Sequence, residues 1–126
     1  MATVELTAEN FESTIGGTGL ALVDFWAAWC GPCRMFGPVF ERMSEQYPDA
    51  VFGKVDTEAQ QALAGSFGIS SIPTLMIIRD NVIVYAQPGA LPEAALEELI
   101  TKALELDMDK VRASIAEHEG ARAGKA

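Results

Sequence analysis

Apolar residues along this chain alternate between short unbroken runs and a spacing of three or four. Residues 20–26 are almost continuously apolar, the pattern of a strand buried on both faces, and only Asp24 interrupts them. Residues 51–56 form a second such run, broken by Lys54, and residues 75–78 a third. Asp80 and Asn81 both tolerate left-handed backbone, so they predict a hairpin turn. The chain then returns as a strand over residues 82–86, broken by Pro88-Gly89. A short strand over residues 3–6 completes the set. Between these runs the spacing is helical. Thr7 reads as the N-cap of a helix with Phe11 and Ile15 on its buried face, stopped by Gly16-Gly17. Met35, Phe36, Val39, Phe40 and Met43 recur at helical spacing over about residues 32–47, with Pro38 expected to kink the helix. Residues 58–67 read as a helix with Ala62, Leu63 and Phe67 inward. Pro92 opens a last helix that carries Leu96, Leu99, Ile100, Ala103 and Leu104 on one face. The predicted order is βαβαβαββα, an α/β fold whose mixed sheet is covered by helices on both sides.

Beyond Glu105 the stripe Leu104, Met108, Val111, Ile115 predicts either a continuation of the last helix or, with Asp107 as cap, a separate short one. It is expected to lie on its own domain or in solvent; a docking helix for a partner or second copy is the alternative. From Gly120 onward the residues are small and polar, and fraying is expected. The division is a domain over residues 1–105 and an extension over 106–126.

Composition narrows the function classes. The 126 residues carry a formal charge of −9, and the nine basic residues are scattered, which argues against nucleic acid. No apolar run approaches the roughly 20 residues that cross a bilayer. The first residues lack the basic and apolar segments of a signal peptide, so a cytoplasmic location is expected. In such a compartment the two cysteines, Cys30 and Cys33, are more readily catalytic or metal-bound than a permanent cross-link. Zinc would need four ligands, and only these two and the distant His118 are soft candidates, so no metal is expected.

The pair sits where the run 20–26 meets the following helix. Cysteines three apart in a first helical turn share a face and can close on each other. The free amides and partial positive charge at the helix start would stabilise a Cys30 thiolate, while Cys33, one turn deeper, should be more buried and stay a thiol until needed. Gly31 lets a substrate backbone approach, and Pro32 is tolerated in a first turn. A bystander dithiol and half of a metal site are the competing readings of the pair alone. Asp24, if buried, would have a raised pKa suited to proton exchange near neutrality; a carboxylate reaching solvent is the plainer reading.

Trp29-Cys30-Gly31-Pro32-Cys33 resembles the active-site motif of the thioredoxins. The resemblance extends to residues 23–27, Pro38, Lys54-Val55-Asp56, Ile72-Pro73-Thr74 and Gly89-Ala90-Leu91, and so covers about residues 1–105. It implies the thioredoxin fold and a protein disulfide reductase in which Cys30 attacks, Cys33 resolves, and the pair cycles through a Cys30–Cys33 disulfide. It further implies that Asp24 helps to deprotonate Cys33, that Lys54 influences Asp24, and that Pro73 is cis and faces the disulfide. Ile72 would offer its backbone to an extended substrate. Trp29, Gly31, Pro32, Ile72, Gly89 and Ala90 would form the rim, whereas Trp26 reads as core. The implied partners are disulfide-containing proteins and an NADPH-dependent thioredoxin reductase; no bound cofactor is implied, and a monomer is expected. An oxidant or isomerase on the same fold, and a redox-independent scaffold subunit, are the alternatives. Departures from the pattern are Pro88 before the glycine, Asn81 at a turn, Arg34 for the common lysine, Ser70-Ser71, and the extension.

Overall fold

The computed structural model describes residues 2–17 and 19–123. The elements run β1 (Thr3–Glu5), α1 (Phe11–Ile15), β2 (Leu20–Trp26), α2 (Gly31–Gln46), β3 (Val51–Asp56), α3 (Gln61–Ser66), β4 (Thr74–Arg79), β5 (Val82–Pro88), α4 (Glu93–Glu105) and α5 (Met108–Ala123). Five strands form one mixed sheet in the order β1-β3-β2-β4-β5, with β3 parallel to both β1 and β2 and the other pairs antiparallel.

Alternation along the central strand β2 divides the core. Leu20 and Leu22 join Phe52, Leu75 and Ile77 under α2 and α4, where Phe36, Phe40, Met43, Leu96 and Ile100 cover them. Ala21, Val23 and Phe25 point the other way, with Val55 and Met76, towards Phe11, Ala64 and Phe67. Asp24 therefore belongs to the face that α2 covers. Gly53 is required on the opposite face, because a Cβ there would run into the side chain of Leu6.

Several elements start or end where local hydrogen bonds overrule the apolar spacing. Thr7 and Asn10 bond reciprocally, each side chain accepting from the other's backbone N–H, so residues 7–10 form a turn and α1 starts only at Phe11. Asp56 Oδ1 accepts from the N–H groups of Glu58 and Ala59, which delays α3 to Gln61. Leu63 and Phe67 pack against the core as expected and Ala64 is buried beside them, while Ala62, expected inward, is exposed. α2 runs through Pro38 from Gly31 to Gln46, with Met35 outside the buried stripe and 75% exposed. Asp80 and Asn81 both have positive φ, as the hairpin requires, and β5 continues to Pro88 beside Thr74.

The extension is a separate helix. Asp107 Oδ1 accepts from the N–H groups of Asp109 and Lys110, capping α5 as the alternative reading had it. Met108 is buried, Val111 is half-buried, and Ile115 is exposed. Arg79 donates to the carbonyls of Ala103, Leu104 and Leu106, and Arg112 lies 4.0 Å from Asp80, so the start of α5 is held against the β4–β5 hairpin. The expected fraying from Gly120 is not seen over 120–123, where the backbone is helical; residues 124–126 lie outside the described residues.

Candidate active site

β2 ends at Trp26, and four residues later Cys30 caps α2 in extended conformation. Its sulfur accepts the Cys33 N–H at 3.2 Å, so the side chain occupies the anion-favouring position of a helix N-terminus. Cys30 and Cys33 are joined as a disulfide, with their Cα atoms 5.2 Å apart. Cys33 was expected to be the more buried. Both cysteines are only 4% exposed, because Cys30 packs with Ala27 and Ile72 as closely as Cys33 does beneath the first turn.

The rim comes from three separate loops. Ile72-Pro73 is a cis peptide, and the carbonyl oxygen of Ile72 lies 3.7 Å from Cys30 Sγ. Gly89 N–H donates to Pro73 O at 2.8 Å, which ties the end of β5 to the same loop, with exposed Ala90 following. Gly31 and Pro32 are exposed on the first turn of α2, and Trp29 is 66% exposed just before it. A nearly buried disulfide thus sits inside a ring of exposed backbone and apolar side chains.

On the sheet side, Asp24 is fully buried and neither carboxylate oxygen has a hydrogen-bond partner. Burial pushes its carboxyl up from 3.8 to about 7, against the opposing pull of the Lys54 ammonium. Lys54 is the register partner of Asp24 across β2 and β3, and its Nζ lies 4.9 Å from the centre of the Trp26 ring. Trp26 was expected to be core; it is half-buried and lines a cleft that Cys33 and Lys54 share.

Sequence reasoning missed Glu58. Its Oε1 accepts the Trp29 indole N–H at 2.6 Å, across a turn that Thr57 fastens to Trp26 O. Nothing in a single glutamate of an acidic chain announces this, since the bond spans 29 positions. Glu58→Ala should free the Trp29 indole and lower its fluorescence anisotropy, as expected for the loss of one exposed hydrogen bond. An unchanged anisotropy would show that the bond to Glu58 does not hold the indole.

Comparison with known proteins agrees with this geometry. Residues 2–102 match the Thioredoxin family model. The chain is 63% identical over 123 residues to a protein named putative thioredoxin 2 of Streptomyces coelicolor, covering 98% of this chain and 91% of that one. It is 40% identical over 105 residues to the thioredoxin of Bacillus subtilis, covering 82% and 100%. Among solved structures, a mutant thioredoxin from Halobacterium salinarum superposes with a TM-score of 0.75 at 36% identity, over 82% of this chain and 91% of that one. The thioredoxin of Malassezia sympodialis gives 0.73 at 34% identity, over 80% and 90%.

Proposed function

This chain belongs to the thioredoxin family and is a dithiol–disulfide oxidoreductase; on that premise we propose that it works as a protein disulfide reductase in which Cys30 is the nucleophile and Cys33 resolves. The observation that carries the reading is the closed Cys30–Cys33 pair at the start of α2, ringed by Trp29, Gly31, Pro32, Ile72, Gly89 and Ala90.

In the reduced protein the Cys30 thiolate, stabilised by the α2 amides, attacks a substrate sulfur. The substrate S–S bond breaks, one substrate thiolate leaves and takes a proton from solvent, and a mixed disulfide joins Cys30 to the substrate. Ile72 presents backbone to an extended substrate segment at this stage, with Pro73 holding the loop. Cys33 then gives its proton to the Asp24 carboxylate, whose pKa of about 7 suits it to that exchange. The Cys33 thiolate attacks Cys30 Sγ and expels the second substrate thiolate. The substrate gains two electrons, and the chain returns to the disulfide form. Lys54 tempers the cost of charging Asp24.

Family members exchange with disulfide substrates and are recycled by a thioredoxin reductase. For this chain we infer the same partners, a cytoplasmic setting and a monomer; no described helix is long and apolar enough to cross a membrane. Residues 1–105 would form the redox domain, with 106–126 an extension of it. Incubated with NADPH, a thioredoxin reductase and insulin, the protein should consume NADPH in proportion to insulin disulfide reduced. Consumption no greater than that of a Cys30→Ser, Cys33→Ser double variant would reject the reductase reading and favour a scaffold.

A further inference from the structure

Among the described residues, three buried side-chain oxygens lack any hydrogen-bond partner: both oxygens of Asp24, and Oε1 of Glu41. Glu41 lines the same cleft as Lys54, and Asp24 is the register partner of Lys54 across β2 and β3. A cleft of about 340 Å³ is lined by Trp26, Cys33, Arg34, Gly37, Glu41 and Lys54, with Pro38 between them. Cys33, Gly37 and Glu41 follow at steps of four on α2, so they stack along one face, each about 6 Å from the next. Lys54 meets that face at its middle, since a Cβ built on Gly37 would stand 3.7 Å from Nζ. The ammonium therefore lies about one helical turn from Glu41 on one side and from Cys33 on the other. From the sheet, Asp24 is its register partner. Glu41 is held in place at its other oxygen, where Oε2 accepts from Thr3 Oγ1 at 2.7 Å.

We propose that Glu41 is a positioning residue for the resolving step: it shares the Lys54 ammonium with Asp24 and so governs how much of that charge supports the Asp24 carboxylate. The proposal rests on the reading that Asp24 takes the Cys33 proton. A carboxylate on Glu41 draws Lys54 along α2 and adds negative charge to the cleft that Lys54 lines. Both effects keep Asp24 protonated to higher pH, and they have the same sign. The other charged or titratable groups are few. Arg34 and Cys33 of α2 line the cleft, Asp56 follows Lys54 on the same face of β3, Glu5 of β1 is in register with Lys54 but exposed, and β4 offers Asp24 only Leu75.

Glu41→Gln removes the charge, keeps the shape and leaves an acceptor for Thr3. Carboxyl-carbon NMR of reduced protein should show the Asp24 midpoint moving down by about 0.5 pH unit, roughly a threefold change in proton affinity. The acid limb of the resolving rate should move with it. Glu41→Asp, which keeps the charge, should return the midpoint most of the way to that of the parent protein. In a Lys54→Gln background the Glu41→Gln shift should fall to less than about half, because there is then no ammonium to share. Glu5→Gln should move the midpoint by less than about 0.2 unit, as befits a solvent-screened charge. An unmoved midpoint in Glu41→Gln, or a shift of equal size without Lys54, overturns the proposal. Neither result depends on turnover. Failure of the unmodified protein to reduce insulin would strike the reductase reading instead and leave these titrations standing.

Discussion

With Cys33 replaced by serine, the protein should accumulate a stable mixed disulfide with its substrate, and multiple turnover should fall on the order of a thousandfold or more. The reason is proximity. The Cα atoms of Cys30 and Cys33 are 5.2 Å apart on one helical turn, so the resolving thiolate meets the mixed disulfide as an intramolecular reactant. A free thiol must instead arrive by diffusion through the ring around Cys30. Serine offers a hydroxyl that neither ionises near neutrality nor makes a lasting bond to sulfur. Intact-protein mass spectrometry should find the adduct on Cys30, released by added dithiol with the full complement of substrate thiol. Cys30→Ser should be equally inactive but adduct-free, because only Cys30 holds the anion-stabilising cap position of α2. Rapid turnover by Cys33→Ser would dismiss the two-cysteine mechanism.

Asp24→Asn should stabilise the oxidised protein by about 2–4 kcal/mol at pH 8 and hardly at all at pH 4. The unfolded carboxyl titrates near 3.8 and the folded one near 7. Well below pH 3.8 both states hold the proton and the group contributes nothing to the balance. Between the two values the unfolded chain releases its proton first, so stability falls as pH rises. Above pH 7 the folded protein carries a buried charge without a hydrogen bond, and the full difference corresponds to about 4 kcal/mol. An uncharged amide removes that penalty while remaining unpartnered, which limits the gain. The same change should slow release of the mixed disulfide at pH 7 by about 10² through loss of a proton acceptor. Urea denaturation at the two pH values and single-turnover kinetics check both halves. A gain that is equal at pH 4 and pH 8 would show that Asp24 is not destabilised by its charge.

The contrast between these two residues and Glu58 or Glu41 marks how far the primary structure is legible. Cys30 and Cys33 announce themselves because one motif holds both reacting atoms, and Asp24 because a carboxylate in an apolar strand violates the pattern around it. Glu58 and Glu41 violate nothing: each is one acid among eighteen acidic residues in the chain. What gives them meaning is a neighbour far away in the sequence, Trp29 for one and Thr3 and Lys54 for the other. Glu41 left one faint trace, its place eight residues after Cys33 on the same helical face. The exposure of Ala62 and of Met35 escaped for a different reason. Apolar spacing reports which residues share a face, and the Asp56 turn and the bare rim beside the disulfide decide which face is covered.

By itself the amino-acid sequence determined the alternation of strands and helices, the hairpin at Asp80-Asn81, the cysteine pair at a helix start and the lone acid in the strand before it. Each of these depends on residues within a turn or two of one another, where period, capping and backbone preference act. Only the tertiary structure decided that β1 lies outside β3, that Ile72, Gly89 and Cys30 converge, and that Lys54, Glu41 and Cys33 line one cleft. Between separate segments, those relations join residues 13 to 59 positions apart in the sequence. They arise from the packing of both faces of β2, which no local pattern encodes.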